Sequence, residues 1–121
     1  QRNRPIKWLK HIGQNELEEK YLSCSFTVFP STSEGFGLPI IESLVRGKAC
    51  ICGKNGALGE IIRDGGCLTI ADQKDSNQLA NGIRKLLTDK ELILKLEKQA
   101  KKRDFGSWKS YSSHLLNHFL P

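Results

Sequence analysis

Short apolar runs alternate with helix-period segments along most of this chain, and that alternation constrains its fold more than any other feature. The runs 6–12, 26–29, 49–52 and 67–70 have strand length and strand composition. Between and after them lie segments with helical spacing: about 15–22, 38–46, 57–63, 76–87, 89–102 and 108–119. Strands separated by helices form parallel sheets with crossover connections, so the expected class is α/β with about four parallel strands and flanking helices. In such sheets ligands bind beyond the carboxyl ends of the strands.

The loop after the second run is therefore the first place to look. Residues 30–42 are Pro-Ser-Thr-Ser-Glu-Gly-Phe-Gly-Leu-Pro-Ile-Ile-Glu. A strand ends at Pro30, and a helix opens at Leu38 or Pro39, because proline suits a first helical turn where its missing N–H costs nothing. Gly35 and Gly37 let the backbone come close to a ligand, and the unpaired N–H groups of a helix start attract anions. Glu34 in the loop and Glu42 in the helix can face one pocket. A phosphate-bearing ligand whose hydroxyls need acceptors fits such a set. Two carboxylates could also form a glycosidase acid/base pair, but that would leave the glycines and the helix start unused.

Other local signals refine the elements. Asn15 with Glu18, and Thr88 with Glu91, have capping-box spacing. Ile41, Leu44 and Val45 make an i, i+3, i+4 face, with Gly47 as the helix stop. Trp108, Tyr111, Leu115 and Phe119 form a stripe on the last helix.

Composition narrows the classes. With 38% hydrophobic and 26% charged residues, the 121-residue chain can build one domain or part of one, and it is not of disordered type. No apolar run reaches membrane-span length. The chain begins at Gln1 and lacks methionine, which suggests a piece of a larger protein. Cys24, Cys50, Cys52 and Cys67 form no Cys-x-x-Cys, so buried free thiols in a reducing compartment are expected, with zinc or a disulfide as the alternative. The net charge of +6 arises from residues 2–10 and 84–103. Solvated helix faces account for most of it, with anionic lipid or a phosphate-rich acceptor as further partners. Nucleic acid is not expected, because aromatic residues do not interleave with the basic ones. His114 and His118 have a metal-compatible spacing, but no carboxylate accompanies them and no metal site is expected.

Glu34-Gly-Phe-Gly-Leu-Pro-Ile-Ile-Glu42 closely resembles the E-x7-E signature of retaining, nucleotide-sugar-dependent glycosyltransferases of the GT-B fold, family 4, the glycosyl transferases group 1. Tyr21 to Ser31, Gly47-Lys-Ala-Cys-Ile51, Glu60-Ile-Ile-Arg-Asp-Gly-Gly66 and Phe105-Gly-Ser-Trp108 resemble further family segments in the family's order. Ala49 and Gly59 stand where the family usually has proline, which loosens two loops without removing a chemical group.

The resemblance implies a partial Rossmann-like sheet: residues 1–121 as the C-terminal portion of the nucleotide-sugar-binding domain, with 105–121 a terminal helix. It implies that Glu34 contacts the donor sugar as the catalytic glutamate. The amides of Gly35, Phe36, Gly37 and Leu38 would grip sugar and phosphate, and Glu42 would bind ribose hydroxyls. His11, in the segment that meets the base, and Glu60, near the diphosphate, are further pocket candidates; simple loop capping explains Glu60 equally well. The implied donor is a UDP- or GDP-linked sugar, with no cofactor and no metal, and the implied acceptor is a glycan or a lipid-linked glycan. The setting would be cytoplasmic, peripheral on the inner membrane face, in cell-surface polysaccharide synthesis. A non-catalytic nucleotide-sugar-binding module is the alternative.

The family's diphosphate-binding Arg and Lys, its acceptor site and its active-site histidine match nothing here, so the isolated chain is expected to be inactive. Its first strand would lack its usual neighbours. It is therefore expected to pair differently, or to be covered by self-association.

Overall fold

In the computed structural model, residues 6–31, 37–54 and 61–105 are described. Three short strands form the sheet: β1 (Thr27–Phe29), β2 (Cys50–Cys52) and β3 (Cys67–Thr69). They run parallel in the order β1-β2-β3, with Thr27 opposite Cys50 and Cys50 opposite Cys67. The α/β class with a parallel, Rossmann-like sheet is therefore present, with three strands among the described residues where about four were expected.

The central strand explains the core. Cys50, Ile51 and Cys52 are all fully buried, as expected of a parallel strand covered on both faces. Alternate side chains leave opposite faces, and two apolar clusters result. Cys50 and Cys52 join Ile40, Leu44 and Ala100. Ile51 joins Ala49, Ile70, Leu86 and Leu96.

Four helices complete the described chain: α1 (Gln14–Ser23), α2 (Leu38–Val45), α3 (Ser76–Thr88) and α4 (Lys90–Lys102). Residues 61 and 62 are also helical, and after them the chain turns at Gly65 and Gly66, both at φ +94°. A side chain at Gly66 would meet Leu44 Cδ2 at 2.6 Å, so the turn packs directly on α2. Arg103 closes the same corner by donating to the carbonyls of Ile61 and Gly65.

Several expectations need correction. Residues 6–12 form no strand: Ile6 is 93% exposed and Trp8 82%. A strand exists only through its ladder, and no strand among the described residues lies beyond β1 to pair with this segment. Among the described residues, the alternative pairing therefore does not occur. Asn15 is not an N-cap; it lies inside α1, whose N-cap is Gly13 with no side chain to offer. Thr88 ends α3 by donating to the Arg84 carbonyl, and Asp89 caps α4 by accepting from Leu92 N–H at 3.0 Å.

The buried face of α2 is Ile40, Ser43 and Leu44, while Val45 is exposed. Ser43 is buried because its hydroxyl accepts from Thr27 Oγ1 at 2.7 Å and donates to the Lys48 carbonyl at 3.1 Å. Gly47 does end α2, at φ +70°, with its N–H on the Leu44 carbonyl. The terminal helix expected over 105–121 falls outside the described residues, apart from Phe105 at its start.

All four cysteines are free. Cys50 and Cys52 are buried, and Cys24 and Cys67 are partly covered. The neighbouring Cys52 sulfur, then burial, pushes the Cys50 thiol far up. At Cys52 a hydrogen bond with Cys50 acts downward, but the Cys67 sulfur and burial outweigh it and push the thiol up to about 12. These thiols stay protonated at neutral pH and behave as small apolar side chains.

Candidate functional site

The site is built where β1 gives way to α2. Pro30 ends the strand, and the carbonyl of Ser31 accepts from Gln73 Nε2 at 2.8 Å. Gln73 is buried against Gly53, where an added Cβ would stand 2.2 Å from Nε2. Gly53 therefore makes room for the amide that fixes the departing chain.

The chain re-enters the described structure at Gly37, buried and left-handed at φ 63°, ψ 38°. That conformation is costly for a residue with a Cβ, which accounts for the glycine. Its carbonyl accepts from Ile40 and Ile41 N–H, closing the first turn of α2. Pro39 has no N–H to satisfy. Among the described residues the N–H groups of Gly37 and Leu38 have no hydrogen-bond partner. They sit at the positive end of the helix dipole. Leu38 itself is half exposed.

Glu42 lies four residues after Leu38, on the same face of α2. Its carboxylate is held from α1: Tyr21 Oη donates to Glu42 Oε2 at 2.9 Å. Arg46, one turn further on, does not pair with that carboxylate. Its Nη1 donates to the Glu42 backbone carbonyl at 2.7 Å, and Nε donates to Glu18 Oε2 at 2.8 Å. Nη2 reaches the same Glu18 oxygen. The guanidinium also lies over the Tyr21 ring, 4.6 Å from its centroid.

Charge follows this geometry. The Arg46 hydrogen bond holds the Glu18 carboxyl below its ordinary range, and the same bond raises Arg46. Burial, then the bond to Glu42, pushes the Tyr21 phenol well up, so it remains a donor at physiological pH.

Of the residues singled out in the sequence, Gly37, Leu38 and Glu42 come together on α2. Glu34, Gly35, Phe36 and Glu60 lie outside the described residues, as do His114 and His118. His11 is exposed in the segment before α1, and no hydrogen bond or ion pair joins it to α2. A groove of about 340 Å³ lined by Asp64, Gln99, Lys102, Arg103 and Asp104 lies against α4. One of about 280 Å³ lies beside α1 and β1, with Tyr21 in its wall; neither is lined by Gly37, Leu38 or Glu42. Among the described residues no three His, Cys, Asp or Glu side chains could hold a metal ion. No helix among them is long and apolar enough to cross a membrane.

The family model described as glycosyl transferases group 1 matches residues 3–103. The chain belongs to that family. It is 38% identical over 87 residues to an uncharacterized glycosyltransferase of Methanocaldococcus jannaschii, covering 72% of this chain and 25% of that protein. It is 32% identical over 84 residues to O-antigen chain mannosyltransferase B of Escherichia coli, covering 69% and 22%. It is 34% identical over 74 residues to the D-inositol 3-phosphate glycosyltransferase of Thermobifida fusca, covering 61% and 17%. The chain thus spans a quarter or less of the length of these relatives.

Within this group 1 chain, several residues that shape the site are silent in the sequence. Arg46 and Glu18 are 28 positions apart, and each has the composition of a solvated helix face. Gln73 is 42 positions from the carbonyl it holds. Tyr21 alone gave a signal, as part of a family segment, but without its role.

Proposed function

We propose that this chain is the donor-binding part of a retaining glycosyltransferase that moves a sugar from a nucleoside-diphosphate sugar to an acceptor hydroxyl. The observation that carries this reading is the pairing on α2: the open amides of Gly37 and Leu38 one turn before a carboxylate fixed by Tyr21, in a group 1 chain. Amides at a helix start suit a diphosphate, and a carboxylate one turn away suits ribose hydroxyls.

In this reading Glu42 accepts from the ribose and Glu34 from the donor sugar. The amides of Gly35 to Leu38 stabilise charge as the diphosphate departs, and fixed dipoles do this at little reorganisation cost. His11 and Glu60 would border the base and the diphosphate. A glycan or lipid-linked acceptor at the inner membrane face fits the O-antigen and mannosyl vocabulary of the Escherichia coli relative and the net charge of +6. Family 4 membership and a UDP- or GDP-linked donor complete the proposal.

The test is an NMR titration of the chain with UDP, GDP and ADP, free and as sugar conjugates. Saturable shifts at Gly37 to Glu42 with one base, abolished by Glu42→Ala, are expected. Shifts that persist in Glu42→Ala would remove that residue from the site, and no shift with any nucleotide would count against a donor site in this chain.

A further inference from the structure

Glu42 on α2 and Arg46, the C-cap of that helix, stand four apart, the spacing at which a glutamate and an arginine ordinarily pair across one turn. Such a pair would cover the carboxylate with a cation and occupy its oxygens. It does not form here. Glu18 draws off Nε and Nη2 of Arg46, the Glu42 backbone carbonyl takes Nη1, and the Tyr21 ring lies beneath the guanidinium. With its side chain 17% exposed, Arg46 is largely packed in place.

The carboxylate left behind receives a single neutral donor, the Tyr21 hydroxyl on Oε2. Oε1 has no hydrogen-bond partner among the described residues. A glutamate otherwise free to turn about its side-chain bonds is thereby held in one orientation, with one oxygen committed and one available.

Resting on the donor-site reading above, we propose that Tyr21 is a positioning residue for Glu42. It aims Oε1 at a vicinal diol of the ribose while its ring, together with Glu18, keeps Arg46 off the carboxylate. Tyr21 touches no ligand in this scheme. It decides how well the site distinguishes a ribose from a sugar that lacks those hydroxyls.

The test is calorimetric titration of the full chain, wild type and variants, with UDP, GDP and ADP and with their 2′,3′-dideoxy counterparts. Tyr21→Phe keeps the ring beneath Arg46 and removes only the donor. It should weaken the preferred ribonucleoside diphosphate about tenfold and leave the dideoxy form within about twofold, with only a small fall in melting temperature. Glu18→Gln, which frees Arg46 to turn onto Glu42, should weaken the same ligand selectively. Equal weakening of ribo and dideoxy ligands by Tyr21→Phe would show a merely structural role and overturn the inference. So would wild-type affinity in both variants alongside loss of binding in Glu42→Ala, an outcome that leaves the donor-site reading standing. A wild-type chain that binds none of these nucleotides would overturn both together.

Discussion

Helix α1 and the pair α3–α4 are attached to the molecule by opposite means. α1 has ten residues and buries none of them, and its N-cap Gly13 offers no side chain. Its link to α2 is polar, through Tyr21 on Glu42 and Glu18 on Arg46. α3 and α4 have thirteen residues each and bury Gly82, Leu86, Leu96 and Ala100. Both are capped by aspartate: Asp75 accepts from Asn77 and Gln78, and Asp89 accepts from Leu92. Apolar burial is large in energy and indifferent to direction, whereas a hydrogen bond is modest in energy and strict in direction. Stability is thus concentrated in the pair α3–α4, and the orientation of the Glu42 carboxylate is set from α1.

The sharpest way to break that division is to cut the core side. Leu96 is 6% exposed and packs with Ile51, Ile70 and Leu86, so Leu96→Ala should cost about 3 kcal/mol of unfolding free energy. Chemical denaturation measures it. Tyr21→Phe, which removes one partly buried hydroxyl bond, should cost no more than about 1.5 kcal/mol by the same assay. A larger loss at Tyr21 than at Leu96 would mean that α1 carries stability after all.

The caps give a second, smaller contrast. Asp89→Ala removes the acceptor for Leu92 N–H and should cost about 1 kcal/mol. Gly13→Ala removes no cap bond and, at φ −69° with nothing within 4 Å of an added Cβ, should shift stability by no more than about 0.5 kcal/mol. Thermal unfolding of the two variants would show equal losses only if the Asp89 bond contributes nothing.

The same contrast decides what could be seen in the sequence. The extents of α3 and α4 were legible to within a residue, because they follow from apolar periodicity, although the aspartates that cap them were not read as caps. The opening of α2 was legible from Pro39, whereas the left-handed turn that makes Gly37 its N-cap was not. The face of α2 was not: its centre is Ser43, polar by type and buried only because Thr27 and the Lys48 carbonyl satisfy its hydroxyl. Residues 6–12 have strand composition but lack a ladder, a property of other segments rather than of their own side chains. Glu18 fits a capping box with Asn15, yet its partner is Arg46 on another helix. Of the candidate site, the E-x7-E resemblance singled out Glu42, but its contacts with Tyr21 and those of Glu18 with Arg46 were not legible, since polar contacts between helices leave no period.

The smallest effect expected is the pH and salt response of the α1 latch. Glu18 has its folded-state pKa lowered by Arg46, so its contribution is present above the unfolded value of about 4.3 and is lost as pH falls through the folded value. Tyr21 has its folded-state pKa raised, so its contribution is present below the unfolded value of about 10 and is lost as pH rises beyond it. Stability measured by denaturation from pH 2 to pH 11 should therefore fall on both sides of neutrality, among other carboxylates on the acid side. Glu18→Gln should flatten the acid limb slightly, and Tyr21→Phe the alkaline limb. Molar salt should partly screen the Glu18–Arg46 pair, whose glutamate is the exposed partner, and leave the Tyr21 limb in place. An alkaline limb unchanged in Tyr21→Phe would mean that the phenol is not engaged by Glu42 in solution, and the directional half of the comparison would fail with it.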